Sequence, residues 1–291
     1  MACQKGTTMA LTNFIPVVWS ARILSNLHRA HVYGQAGVVN REYEGEIRDA
    51  GDTVKINSIG PVTIGNYTKN TNIGDPETLT DAQMTLLINQ AKYFNFQVDD
   101  IDRAQQKPSV MDEAMKEASY GLRDVSDGFI ASLYTGVAAG NVIGNDTTPV
   151  TPTSANAYDY LVDLGTLLDE ANVPSEGRWT IVPPWFHGLL LKDDRFVGVG
   201  SASSDQVLRN GQIGSAAGFS VLKSNSVPNV AGAKYKIMAG HPMAISFAEQ
   251  IVKVEGYRPE KRFADAVKGL HVYGAKVVRP TAFAVMTANR S

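Results

Sequence analysis

Between Ser109 and Val137 the apolar residues Met111, Met115, Ala118, Leu122, Val125, Phe129 and Leu133 follow one another at steps of three or four. That spacing keeps one face of a helix apolar over its whole length. Ser109 stands where a cap is needed, and Asp112 and Glu113 suit the positive end of the helix dipole. Twenty-nine residues in one helix would span about 43 Å at ~1.5 Å per residue. The mean globular helix has only ~11–12 residues. Gly121 and Gly128 lie inside it and cost about 1 kcal/mol each against alanine, so packing must hold the helix. The segment predicts a spine for something flat or extended.

The chain before the spine divides in two. Thr12 and Asn13 precede Phe14–Trp19, and Val18, Arg22, Leu24, Leu27 and Ala30 fall near helical spacing, with Pro16 in the first turn. Gly34 and Gly37 end this arm helix. Past a turn at Gly51-Asp52, Thr53–Asn57 alternates as a half-buried strand does, until Gly60-Pro61 breaks it. Val62–Tyr67 alternates again, and a polar stretch runs on to Asp81. Phe94, Phe96 and Val98 alternate with Asn95, Gln97 and Asp99, extending an apolar segment from Met84. The 24 residues between Ile59 and Met84 are long for a hairpin connection. A two-stranded ribbon is only marginally stable in water, so this one must lean on another surface.

Beyond the spine, a Gly/Asn/Thr/Pro-rich linker at 138–157 opens a mixed region. Helical patterns cover Tyr158–Asn172 and Trp185–Leu191. Strand patterns cover Trp179–Val182, Phe219–Leu222, Lys234–Met238, Ala244–Phe247, Ile251–Val254, Ala266–Val278 and Thr281–Met286. Gly198–Gly218 is a glycine-rich run among small residues.

Charge is unevenly placed. From Met1 to Arg41 there are four basic residues (Lys5, Arg22, Arg29 and Arg41) and no acid, leaving the remainder 23 basic against 29 acidic. A weakly basic arm suits an acidic partner, either nucleic acid or another copy, but four charges are too few for tight binding by counterion release. The overall charged fraction of 19% lies below the ~25% of an average soluble domain, as for a surface that something else covers. No apolar run approaches the ~18 residues of a spanning helix, and no apolar signal segment follows Lys5. These features predict a soluble, non-secreted protein.

Chemistry is harder to find. Asp99, Asp100 and Asp102 form the densest carboxylate cluster, but the glycine and distal glutamate of a calcium loop are missing, and a polar strand end is expected. His28 and His31, three apart, are expected on a solvated helix face; His187, His241 and His271 are isolated. Cys3 has no partner cysteine. The glycine-rich runs lack the Lys-Ser/Thr ending of a phosphate loop, and there is no G-x-S-x-G elbow. No enzyme and no cofactor are expected.

Several runs resemble the major capsid proteins of tailed bacteriophages. They are Pro16–Leu24, Asn40–Ile47 followed by Gly51–Ile56, and Ile88–Asp102 ahead of the spine helix. The resemblance implies an α+β fold of the Hong Kong 97 type. Its parts would be an N-terminal arm (1–42), an extended β-ribbon loop (43–84), a peripheral domain with the spine helix (85–137 and 261–291) and an axial domain (138–260). It implies a structural protein of the virion that self-assembles through pentamers and hexamers in the host bacterial cytoplasm. The shell would confine packaged double-stranded DNA by weak, non-specific contact. Glu44, Glu46, Arg48, Asp52, Lys55, Tyr67 and Lys69 are then intersubunit contact candidates on the loop. Lys5, Arg22, Arg29 and Arg41 would face the interior, the DNA or a neighbour. No long extension precedes the arm, so a separate scaffolding protein is expected, with a portal protein and, left open, a decoration protein outside. Some relatives crosslink through a loop lysine and an asparagine; Lys69 and Asn70 lie in the loop without further sign of that chemistry. The alternatives are the shell of an encapsulin-like nanocompartment, which shares the fold, and an unrelated soluble enzyme.

Overall fold

The structure, a computed structural model, describes residues 31–43, 53–59, 64, 66–70, 72, 81–99, 110–193 and 214–290. The expected arm helix over Val18–Ala30 and the glycine-rich residues 198–213 lie outside them. In chain order the elements begin with β1 (Thr53–Ile59), β2 (Asp81–Leu87), β3 (Gln90–Asp99) and α1 (Val110–Ser132). Then come β4 (Val142–Ile143), α2 (Ala157–Glu170), β5 (Trp179–Val182) and α3 (Pro184–Leu191). The last run holds β6 (Ser215–Ala216), β7 (Phe219–Lys223), β8 (Asn229–Val230), β9 (Lys234–Gly240), β10 (Ile245–Tyr257), β11 (Ala264–Val277) and β12 (Phe283–Asn289).

β1 and β2 form an antiparallel ribbon with Thr53 opposite Leu87 and Ile59 opposite Asp81. Within the alternation over Val62–Tyr67, the described residues Ile64, Asn66 and Tyr67 belong to no strand. The apolar segment expected to run from Met84 through Val98 is two strands in two sheets, parted at Ile88 and Asn89. The crossing is tight. A side chain at Gly274 of β11 would collide with the Leu87 carbonyl oxygen and lie 3.0 Å from the Ile88 Cα, so only glycine lets the chain pass.

β3 enters an antiparallel sheet of order β10-β11-β3. Ala244–Phe247 and Ile251–Val254, expected as separate strands, are one strand, because an extra residue at Val252 shifts the register by a bulge and breaks the alternation. α1 lies on one face of this sheet, where Met115 and Leu122 pack with Val254, Val267, Phe94 and Phe96. The α-helix has 23 residues and stops at Ser132, short of the expected Val137; Leu133–Gly136 tightens into a 3-10 turn. The Ser132 hydroxyl donates back to the Phe129 carbonyl at 2.6 Å.

The larger sheet has seven strands in the order β4-β12-β9-β5-β7-β6, with β8 on β9. β4 with β12 and β5 with β7 are parallel; the other pairs are antiparallel. α2 buries Ala157, Leu161, Leu164 and Leu168, and α3 buries Phe186 and Leu190. The core around Trp179, Ile237, Met238, Phe283 and Met286 continues without a break to Ile130, Phe247 and Tyr273 beside the small sheet. Sheet membership crosses the boundaries read from the sequence. β12 belongs with the strands of 138–260, while β10 belongs with β3 and β11.

Candidate assembly interface

The foot of the ribbon rests on the face of the small sheet opposite α1. Ile56, Leu86 and Ile88 are buried there against Ala248 and Val272, with Tyr43, Met84 and Leu270 at the margin. Lys276 Nζ donates to the Thr85 carbonyl at 2.8 Å. In the connection beyond β1, Ile64 is 94% exposed and Tyr67 72%, and Asn66, Thr68, Lys69 and Asn70 are exposed with them. Large apolar surface is also bare elsewhere, at Tyr93 on β3, Tyr120 and Val125 on α1, and Phe263 in the β10–β11 turn. Tyr93, Asn95, Glu255, Lys268 and Leu270 line an open groove on the small sheet. Lys268 pairs with Glu255 at 3.0 Å, and the Tyr257 hydroxyl donates to Asn95 at 3.1 Å.

Of the loop candidates, Tyr67 and Lys69 are on this exposed connection, and Lys55 is on β1 opposite Thr85. Glu44, Glu46, Arg48 and Asp52 lie outside the described residues, as do Lys5, Arg22 and Arg29 of the arm. Asp99 ends β3, and Asp100 and Asp102 lie outside as well. Among the described residues no group of His, Cys, Asp and Glu could hold a metal ion, and no helix is long and apolar enough to cross a membrane.

Arg41 points inward within its own chain. Its guanidinium donates to the Gly34 carbonyl at 2.7 Å and to the Glu249 carboxylate, and it sits over the Phe247 ring. Glu249 is buried on β10, facing His271 of β11 at 3.2 Å and His31 at 3.3 Å. His31 also meets Asp127 of α1 at 2.7 Å, and the same carboxylate accepts the Val32 and Gly34 amides at 2.8 and 3.1 Å. A Cβ at Gly34 would come within 2.9 Å of the His31 ring. Around this cluster Tyr33, Val38 and Val39 are sealed into the core, and Asn40 bonds through its backbone to Ile245 and Phe247. The root of the arm is thereby fastened to the spine helix and the small sheet at once.

The expected solvated face for His31 is therefore corrected: the ring is buried between two carboxylates. Burial lowers its affinity for a proton, but Asp127 and Glu249 outweigh that and raise its pKa to about 9. Burial likewise pushes Glu249 up, and the imidazoles and Arg41 overcome it, holding the carboxyl far below the usual carboxylate range. Sequence reasoning missed Asp127, Glu249 and His271 as a group. A signal was there: Glu249 lies two residues from Phe247 and His271 two from Tyr273, so each shares a strand face with a large apolar residue that is buried.

The profile of the phage capsid protein family matches residues 81–286. A solved chain of Mycobacterium phage Che8 is 30% identical, with 88% of this chain and 90% of that one covered at a TM-score of 0.70. The capsid structure of cyanophage P-SCSP1u shares the fold at a TM-score of 0.69 and 15% identity, over 90% and 89% of the two chains. The SrpI encapsulin of Synechococcus elongatus shares it at a TM-score of 0.55 and 14% identity, over 83% of each. No curated protein matches the chain. The fold is the expected Hong Kong 97 type, and the chain belongs to the phage capsid protein family, whose role is to build the virion shell.

Proposed function

We propose that many copies of this chain close into the icosahedral shell of a tailed phage around double-stranded DNA, with pentamers and hexamers as its capsomers. The observation that carries this reading is the ribbon, supported at its foot and bare at Ile64 and Tyr67. Such surface costs free energy in water unless another copy covers it. Heterologous contacts that close into rings supply that cover. In this reading the β10-β11-β3 sheet with α1 forms the peripheral part and the seven-stranded sheet the axial part. Glu44, Glu46, Arg48, Asp52, Lys55, Tyr67 and Lys69 meet a neighbour, and their charges set register more than stability. Lys5, Arg22 and Arg29 face DNA or a neighbour, and scaffolding and portal proteins complete the assembly in the host cytoplasm.

Sedimentation velocity tests it, on the purified chain alone and co-expressed with the protein encoded immediately upstream. Megadalton shells or capsomer-sized rings are expected. A 31.4 kDa monomer in both preparations would overturn the reading. Exchanging Arg48→Glu together with Lys55→Glu lowers shell yield at equal expression; an unchanged yield removes the loop charges from assembly. The likeness to an encapsulin supports a second reading, a nanocompartment shell, and protein cargo in place of DNA inside the particles would establish it.

A further inference from the structure

Where the arm joins the body, it joins one particular stripe of α1. His31, the first described residue, stands on Asp127, whose carboxylate also accepts the Val32 and Gly34 amides. Asp124, Tyr120, Glu117 and Glu113 lie 3, 7, 10 and 14 residues before Asp127, and those steps keep them on its side of the helix. Asp127 is buried, and the arm root is what lies on it. The other four are exposed, Tyr120 at 54%, with Val125 beside them at 45%. Three of the four are acids. Asp124 accepts the Ser226 hydroxyl at 3.1 Å, and on one flank Arg123 lies over the Tyr120 ring at 4.1 Å. A Cβ at Gly121 would meet nothing within 4 Å, so no described neighbour requires a glycine there. Glycine at such a position leaves room for another backbone to come close.

The segment that leads into His31 is complementary to this stripe. Residues 1–30 hold Lys5, Arg22 and Arg29 and no acid, and Trp19, Ile23, Leu24 and Leu27 supply apolar side chains. Length agrees as well. The 13 residues from Val18 to Ala30 span about 20 Å as a helix, and Glu113 to Asp127 about 21 Å. Arg22 and Arg29 are seven apart, as Glu117 and Asp124 are. With His31 fixed on Asp127, a helix parallel to α1 brings Arg29 level with Asp124 and Arg22 level with Glu117. We infer that residues 18–30 dock as a helix along the exposed stripe of their own α1, covering Tyr120 and Val125 and pairing those two arginines with those two acids. Exposed ion pairs add little each, so the apolar contact carries most of the affinity and the charges fix the register. The tether at His31 selects the chain's own arm, because it holds that arm at an effective concentration on the order of millimolar. The docking belongs to the unassembled chain, where DNA and neighbours do not compete for the same guanidiniums, so it does not rest on the shell reading.

Disulfide trapping tests it on the full chain carrying Cys3→Ser. Asn26 falls level with Gly121 in this register, and a side chain at Gly121 has room. Asn26→Cys with Gly121→Cys is expected to close a disulfide within one chain, seen as a monomer of altered mobility on a non-reducing gel. Moving the second cysteine to exposed Lys192, away from the stripe, is expected to slow closure at least about tenfold. Arg22→Glu with Arg29→Glu slows the Gly121 closure several-fold, and adding Glu117→Arg with Asp124→Arg restores it. A disulfide that joins two chains makes another copy the occupant and overturns the inference. Equal closure at Lys192, or none at Gly121, overturns it too. Should the cysteine variants fail to fold, hydrogen exchange of the native chain decides. Peptides covering 18–30 protected at least about tenfold, and losing that protection in Glu117→Arg with Asp124→Arg, support the docking. Protection that is absent, or that the reversed charges leave unmoved, overturns it. Neither readout depends on shell formation, so failure here and failure of the assembly reading are told apart.

Discussion

At the scale of single residues, the arm root shows why a buried charge is informative. Asp127 and Glu249 are each almost wholly buried, and each is matched by a cation or by backbone amides. Removing one partner strands the others, which costs about 3–5 kcal/mol for a buried pair. Asp127→Asn and Glu249→Gln are therefore expected to lower the stability of the unassembled chain by amounts in that range, read from urea denaturation at pH 7. Stability has a plateau whose edges differ in origin. On the alkaline side the His31 contribution is lost as pH rises through about 9. On the acid side the Glu249 contribution is whole above its ordinary value and is lost progressively as pH falls from there towards its depressed folded pKa. Denaturation midpoints against pH should show the alkaline fall in the native chain and lose it in His31→Gln. A neutral hydrophobic residue at Gly274 is excluded for a different reason, collision with the Leu87 carbonyl.

At the scale of elements, helices and strands owe their ends to particular side chains. α2 carries Asp159 in its first turn and no base in its last. The missing cation comes from the chain that follows. Arg178 donates to the Val173 carbonyl at 2.6 Å, to Pro174 at 2.8 Å and to Asp169 at 2.7 Å, bracing the helix C-terminus against β5. Because the guanidinium is buried while Asp169 is exposed, the backbone contacts matter more than the ion pair. Arg178→Ala is expected to cost about 2 kcal/mol, the worth of charged hydrogen bonds lost from a buried site, and Arg178→Lys to recover only part. The spine was legible as a helix because its apolar face repeats, although the sequence carries no sign that its last turn tightens after Ser132. The ribbon was legible as a pairing of the strand before Gly60 with the segment that opens the apolar run at Met84, and β1 does pair with β2 across residues 60–80. That the same apolar run leaves for a second sheet after Leu87 is a choice that local pattern does not contain.

At the scale of the whole molecule, what is left uncovered matters as much as what is packed. Tyr67 is 72% exposed and contributes nothing to the core, so Tyr67→Ser should leave the denaturation midpoint of the unassembled chain unchanged. Shell yield, read by sedimentation, should fall; unchanged yield would take Tyr67 out of the interface. The amino-acid sequence by itself determined the spine, the alternating strands, the acid-free arm and, through its resemblance, the family, because each is a local or periodic property that survives without knowledge of neighbours. Tertiary structure alone decided that β12 joins the large sheet and β10 the small one, and that His31, Asp127, Glu249 and His271, far apart in the chain, share one buried site. The physical reason is that pairing and burial are long-range choices. Many partners satisfy the same local pattern, and only simultaneous packing of the whole chain selects among them.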